Sequence, residues 1–456
     1  VTAQGAGTVR LDMVSLFPGE TYKGRPNGLR KDLAEKIAAL NPGFVRFPGG
    51  CLVNTGSHEA YEAPDYERRR SYQWKDTVGP VEKRATNANF WGYNQSYGLG
   101  YYEYFQFAED VGAMPLPVVP ALVTGCGENK ATDDPELLRR HIQDTLDLIE
   151  FANGPASSPW GAKRAEMGHP EPFGMTHLAV GNEENLPDEF FERFTEFREA
   201  IEAEHPDITV ISNSGPDDSG ETFDRAWELN RQAGVDMVDE HYYNSPQWFL
   251  ENNGRYDSYD REGPKVFLGE YASQDNRFSN ALAEAAYMTG LERNADVVKL
   301  ASYAPLLASV DSVQWRPDMI WFDSEKSWGS TSYEMQKLFM TNVGDQVVPS
   351  ETSGTPAEPF RQVVTRDEAT GDLIVKAVNA QDTPARTRID LGRETDIEPV
   401  ADLTTLEGDP DAVNTGTNRP IQPRTSTFDG VDNTFTYTFP AHSATFMRIK
   451  TGPARP

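Results

Sequence analysis

The sequence predicts an α/β protein, a (β/α)8 barrel followed by a C-terminal antiparallel β-sandwich domain. Three observations carry this. Short apolar runs alternate with helical stripes from about Leu29 to Met340, the signature of a parallel sheet wrapped by helices. Several of those runs are apolar throughout rather than at every second residue, as parallel strands covered on both faces require. After about Val343 the helical periodicity stops and short β-rich segments take over.

Taken in order, Leu29, Leu33, Ile37 and Leu40 fall on one helix face, followed by the run Phe44-Val45-Arg46-Phe47 and then Pro-Gly-Gly. Leu138, Ile142, Thr145 and Ile149 form a second stripe, and Phe190, Phe194, Phe197 and Ile201 a third. Strands are expected at 114–123, 176–183, 209–214, 237–243, 265–271 and 297–305. A doubly wound open sheet is the alternative, but no G-x-G-x-x-G opens a helix after the first strand, which counts against a dinucleotide fold. In the tail, 360–364, 373–379 and 435–439 read as strands, and "EATGD" at 368–372 as a hairpin turn. The chain therefore divides into an N-terminal segment 1–22, a barrel 23–342 and a β-sandwich 343–456.

Composition narrows the function. With 71 acidic against 42 basic residues the formal charge is −29, a surface that repels phosphate backbones, so no nucleic-acid partner is expected. No apolar run approaches the roughly 18 residues that would span a bilayer, so no membrane partner is expected. Val1-Thr2-Ala3 does not look like a native start, and processing or truncation is expected. The acidic charge leans towards secretion. The two cysteines, Cys51 and Cys126, are too few for a disulfide scaffold. They close consecutive strands and are read as buried free thiols rather than a disulfide.

In such barrels the functional residues gather at the C-terminal ends of the strands. Those ends read Arg46-Phe47-Pro48-Gly49-Gly50-Cys51, Thr124-Gly125-Cys126, Gly181-Asn182-Glu183-Glu184, Glu240-His241-Tyr242-Tyr243 and Gly269-Glu270-Tyr271. Glu183 and Glu270 stand out, each near a glycine at the end of an apolar strand. Glycosidic cleavage needs a protonated acid at the leaving oxygen and an anionic carboxylate across from it. The bland reading is a pair of solvated glutamates at loop starts. The seven histidines show no H-E-x-x-H or paired ligand spacing, so neither a metal nor another cofactor is expected.

"FVRFPGGC", "YGLGYYEYFQFAEDVGAMPLP", "WGAKRAEMGHPEPFG", "LAVGNEE" and "VFLGEYAS", in this order, resemble glycoside hydrolase family 51, the α-L-arabinofuranosidases. The resemblance implies a retaining double displacement, with Glu183 as general acid/base and Glu270 as nucleophile. It implies substrate-binding roles for Arg46, Asn182, His241 and Tyr243. Cys51 falls where many relatives carry an asparagine, and a thiol is the weaker hydrogen-bonding group. Pro317 replaces a sugar-binding glutamine, leaving Trp315 or Asp318 to contribute. Glu270 must be ionised to attack, so Arg46 and Tyr243 are expected around it. Glu183 must begin the cycle protonated. Glu184 is expected as a structural loop residue ahead of a helix beginning near Pro187.

The resemblance departs at the start. The family's first barrel strand carries a Phe-Glu that residues 1–22 lack, and "LDMVSLFPGE" looks like the end of an inserted β-domain. Counting from 44–47 as the second strand leaves seven barrel strands here. A separate N-terminal chain completing the barrel is one expectation; residues 9–17 as the first strand is the other. The expected activity is exo-acting release of arabinose from arabinoxylan or arabinan polysaccharides and oligosaccharides. The alternatives are another retaining glycosidase of the same clan, an endoglucanase or β-xylosidase, or a non-catalytic carbohydrate-binding protein.

Overall fold

A computed structural model describes residues 4–5, 7–10, 14, 16–53, 72–84, 86–88, 91, 94–123, 126, 130–132, 134–354 and 360–452. Thr124 and Gly125, named above, lie outside these, as does part of 9–17. The described residues of that last stretch form no strand, and Val9, Val14 and Leu16 are exposed.

Seven parallel strands form one sheet in strict sequence order: β1 (Phe44–Phe47), β2 (Met114–Val119), β3 (His177–Val180), β4 (Thr209–Asn213), β5 (Met237–Asn244), β6 (Lys265–Ser273) and β7 (Val298–Tyr303). The sheet curls into a near-closed barrel whose edges are β1 and β7. Strand alternation builds two layers. Leu116, Val118, Ala179, Ile211, Met237 and Phe267 pack inside the barrel. The opposite residues, Val119, Leu178, Val180, Val210, Val238 and Leu268, pack outward into the main core beneath the helices. This double burial is why the strands read as unbroken apolar runs.

The helices between strands are α1 (Lys31–Ala38), α2 (Tyr101–Val111), α3 (Pro135–Asn153), α4 (Pro159–Glu166), α5 (Pro187–Glu204), α6 (Glu221–Ala233), α7 (Pro246–Glu251), α8 (Phe278–Arg293) and α9 (Thr331–Thr341). Their starts follow local chemistry. Asp134 caps α3 by accepting the Glu136 and Leu137 amides, with Pro135 at the first helical position, where its missing N–H costs nothing. None of the described helices is long and apolar enough to cross a membrane.

Beyond β7 lies a small sheet of β8 (Leu307–Ser309), β9 (Ile320–Phe322) and β10 (Ser327–Gly329). The C-terminal part is antiparallel throughout. It contains β11 (Gln346–Val348), β12 (Phe360–Arg366), β13 (Leu373–Asn379), β14 (Ala385–Asp390), β15 (Val400–Glu407), β16 (Arg424–Asp429), β17 (Thr434–Phe439) and β18 (Ser443–Ile449). Six strands form one sheet in the order β11-β12-β13-β18-β15-β16, and β14 pairs with β17 in another. Val375, Leu403 and Met447 of the large sheet meet Phe435 of the small one. The turn at 368–372 joins β12 to β13 with Arg366 opposite Leu373.

Candidate active site

The barrel mouth draws its side chains from four strand ends. On β5 the period of two sends Asp239, His241 and Tyr243 to the same face as Met237, which lines the barrel, while Glu240 and Tyr242 face outward into the tyrosine-rich layer under the helices. On β6 the same count fails. Phe267 points inward and Leu268 outward, so unbroken alternation would turn Glu270 away from the mouth. A bulge corrects this: Glu240 pairs with Leu268 but His241 pairs with Glu270, skipping Gly269. A Cβ at Gly269 would stand 2.1 Å from Asp239 Oδ1, so only glycine fits. Its amide instead donates to that oxygen at 2.9 Å.

Glu270 is buried and held by three partners. Arg46 Nη1 donates to Oε1 at 2.9 Å, the Tyr243 hydroxyl donates to Oε2 at 2.6 Å, and His241 Nδ1 lies 3.8 Å from Oε1. Burial by itself would push this carboxyl up. The charges of His241 and Arg46 and the Tyr243 hydrogen bond outweigh it, holding Glu270 below its ordinary value and ionised at neutral pH. Arg46 lies on edge strand β1 and Glu270 on β6, so only the curl of the sheet brings them together.

Glu183 follows β3 with φ +56°, a left-handed backbone at a residue with a Cβ. Its Oε1 lies 3.0 Å from His241 Nδ1, and its Oε2 contacts Cys126 Sγ at 3.5 Å. One carboxylate oxygen of Glu183, one of Glu270 and a nitrogen of His241 all lie within 4.8 Å of one another. Asn182 is fully buried and accepts from Arg46 Nη2 through Oδ1 at 2.6 Å. Glu184 turns the other way. It is buried, its Oε1 accepting the Asn182 amide and its Oε2 the Asn213 side chain, both at 2.5 Å. It is structural, as expected, and α5 begins at Pro187.

Two expectations need correction. Cys51 and Cys126 are not free, buried thiols: they form a disulfide with Cα atoms 5.9 Å apart, half-buried beside Glu183. The strands they follow, β1 and β2, pair directly, which brings the two loops within bridging range. Cys51 therefore presents a disulfide sulfur, not a thiol. The reading of Glu183 and Glu270 as solvated glutamates also fails, since Glu270 is buried and Glu183 is largely so.

Trp315 is 47% exposed and sets its ring edge against Tyr243, centroids 5.4 Å apart. Asp318 is buried, its backbone bonded to the Asn276 side chain. Asp239 escaped sequence reasoning. It is 1% exposed and its Oδ2 lies 3.1 Å from His241 Nε2. Its place two residues before His241, on the same strand face, was the available signal. The ring of His241 is fully enclosed, which alone would lower its pKa, but Asp239, Glu270 and Glu183 hold it up at about 10.

Two carboxyl groups this close at the mouth of a parallel barrel, one ionised by cations, make the working arrangement of a retaining glycoside hydrolase. Residues 36–261 match the family model described as the alpha-L-arabinofuranosidase 1 domain, and residues 251–443 the model described as the alpha-L-arabinofuranosidase C-terminal domain. The chain is 53% identical to an extracellular exo-alpha-L-arabinofuranosidase of Streptomyces chartreusis, in an alignment that covers 96% of this chain and 75% of that protein. It is 35% identical to alpha-L-arabinofuranosidase 1 of Arabidopsis thaliana, covering 83% of this chain but only 53% of the relative. Among solved structures it superposes on an arabinose-bound α-L-arabinofuranosidase, MgGH51, with TM-score 0.85 and 35% identity over 95% of this chain and 68% of that one. The arabinose complex of the Thermotoga maritima enzyme shares the fold at TM-score 0.73 and 18% identity, over 93% of this chain and 90% of that one. The chain belongs to glycoside hydrolase family 51, the α-L-arabinofuranosidases.

Proposed function

We propose that the protein is a retaining, exo-acting α-L-arabinofuranosidase releasing arabinose from arabinoxylan or arabinan, with Glu270 as nucleophile and Glu183 as general acid/base. The observation that carries the assignment of roles is the pair of carboxylate oxygens within 4.8 Å of each other. That spacing suits direct attack at C1, whereas inversion needs about 6.5–9.5 Å to admit a water. Glu270 is the anion because Arg46, Tyr243 and His241 surround it. In the first step Glu270 attacks C1 as the glycosidic bond breaks and Glu183 gives its proton to the leaving oxygen. In the second, Glu183 takes a proton from water, the water oxygen attacks C1, and Glu270 leaves as the carboxylate. Asn182, oriented by Arg46, is placed to hold the sugar 2-hydroxyl, and Trp315 with Tyr243 forms an aromatic wall for the sugar.

The test is release of arabinose from an aryl α-L-arabinofuranoside. Glu270→Ala and Glu183→Ala should each lose about 10² or more in kcat/KM, with azide restoring turnover to Glu183→Ala. A loss of only a few-fold in either variant overturns the assignment.

Two further points belong to this reading. Strand β7 exposes Lys299 and Ala301, unlike a parallel strand covered on both sides. One more strand, from a separate N-terminal chain, would fill the seam between β1 and β7; intact mass and terminal sequencing against the gene test this. Secretion is supported by the disulfide, which oxidising compartments preserve.

A further inference from the structure

His241 has a ring nitrogen within 4 Å of both reacting carboxyl groups. Its Nδ1 lies 3.0 Å from Glu183 Oε1 and 3.8 Å from Glu270 Oε1, and its Nε2 lies 3.1 Å from Asp239 Oδ2. Asp239 is fixed from behind, its Oδ1 accepting the Gly269 amide at 2.9 Å. Among the described residues, the charged and titratable groups around the ring are Arg46 from β1, Glu183 after β3, Asp239 and Tyr243 on β5, and Glu270 on β6.

A neutral imidazole owns one N–H. With carboxyl oxygens at both nitrogens, a neutral ring needs one carboxyl to donate: either a protonated Asp239 to Nε2, or Glu183 from Oε1, which turns its proton away from any substrate. An imidazolium donates at both ends and occupies Oε1 as an acceptor. The proton of Glu183 is then confined to Oε2.

We propose that Asp239 and His241 are a positioning pair: Asp239 keeps His241 an imidazolium through the whole cycle, and His241 thereby holds the transferable proton of Glu183 on Oε2. The proposal rests on the roles given above to Glu183 and Glu270. When the first step begins, with Glu183 carrying the proton its acid role requires, Arg46 and His241 balance Asp239 and Glu270. In the glycosyl-enzyme, Glu270 is an ester and Glu183, having given its proton to the leaving oxygen, is the anion. The cluster's total charge is unchanged, and the His241 N–H already faces the carboxylate that appears. No proton moves on His241, so a fixed cation serves both steps without reorganisation.

The decisive measurement is 15N NMR of histidine-labelled protein, with the His241 signals among the seven histidines identified by their loss in His241→Gln. Both ring nitrogens should show imidazolium shifts throughout about pH 5 to 8; a neutral ring at pH 7 overturns the proposal. In Asp239→Asn the ring should titrate near its ordinary value of about 6.5. Above that pH, kcat for a poor leaving group should fall about 10²-fold, while an activated aryl leaving group, which needs little protonation, should lose much less. A pH profile of unchanged shape in Asp239→Asn also overturns it. If that variant does not fold, the wild-type spectrum decides alone. Failure of the underlying roles shows separately, as retained activity in Glu270→Ala or Glu183→Ala whatever the charge of the ring.

Discussion

Glu183 sits at φ +56°, in a region that residues with a Cβ adopt at a cost of about 1–3 kcal/mol. The strain is held in place by its neighbour: Glu184, buried on the outer side, fixes the Asn182 amide. One carboxyl group anchors the turn so that the next can face the mouth. Elsewhere a carboxyl is enclosed without a countercharge. Glu284 is fully buried, its Oε1 accepts the Ser273 amide at 2.9 Å, and burial pushes it up to about 8. Between its ordinary 4.5 and about 8 the folded protein keeps this proton and the unfolded chain loses it. The unfolded state then binds fewer protons, so stability falls as pH rises through that window. Glu284→Gln should remove this slope, raising the denaturation midpoint at pH 8 while leaving it nearly unchanged at pH 4. An equal effect at both values would rule out the buried proton as the cause.

Strand β6 shows what an element adds to its residues. Its apolar run was legible in "VFLGEYAS", but the direction of Glu270 was not, because counting alternate residues from Phe267 points it outward. The bulge at Gly269 turns it in, and nothing in local composition distinguishes this glycine from one that merely ends a strand. Gly269→Ala tests the element. Its Cβ would meet Asp239 Oδ1 at 2.1 Å, so the carboxylate that supports His241 must shift. The expected result is a loss of about 1–3 kcal/mol in stability, typical of overpacking, with kcat/KM falling at least about tenfold. A variant that loses stability but keeps its kcat/KM would show that the bulge braces the sheet without aiming Glu270. Two helix starts, by contrast, have a purely local cause: Asp134-Pro135 and Ser158-Pro159 pair a capping side chain with a proline that needs no partner.

The whole molecule is tied at two levels. The disulfide links two residues 75 apart in sequence. On chain-entropy grounds it is worth about 4 kcal/mol. Replacing both Cys51 and Cys126 by alanine should lower the urea midpoint accordingly, and a strong reductant should do the same to the wild type but not to the double variant. An unchanged midpoint would mean the bridge does not form in solution. At the second level, the β-sandwich is docked on α8 of the barrel. Lys376 on β13 is buried against Glu292 at 2.5 Å, and the Phe278 and Ser279 amides donate to Ala412 and Pro410. The chain beyond the barrel therefore caps the helix that follows the strand carrying Glu270.

The sequence by itself determined the two architectures and the strand runs, because burial on two faces is written in local order, and it singled out Glu183 and Glu270 as candidates. Tertiary structure decided the rest. The Cys51–Cys126 bridge depends on two adjacent strands placing their loops side by side, and the ionisation of Glu270 depends on Arg46 arriving from the far edge of a curled sheet. The positions of Asp239 and His241 between the carboxyl groups likewise required the bulge and the curl together. These are distances between residues remote in the chain. They arise from closing the sheet, so no window along the sequence contains them.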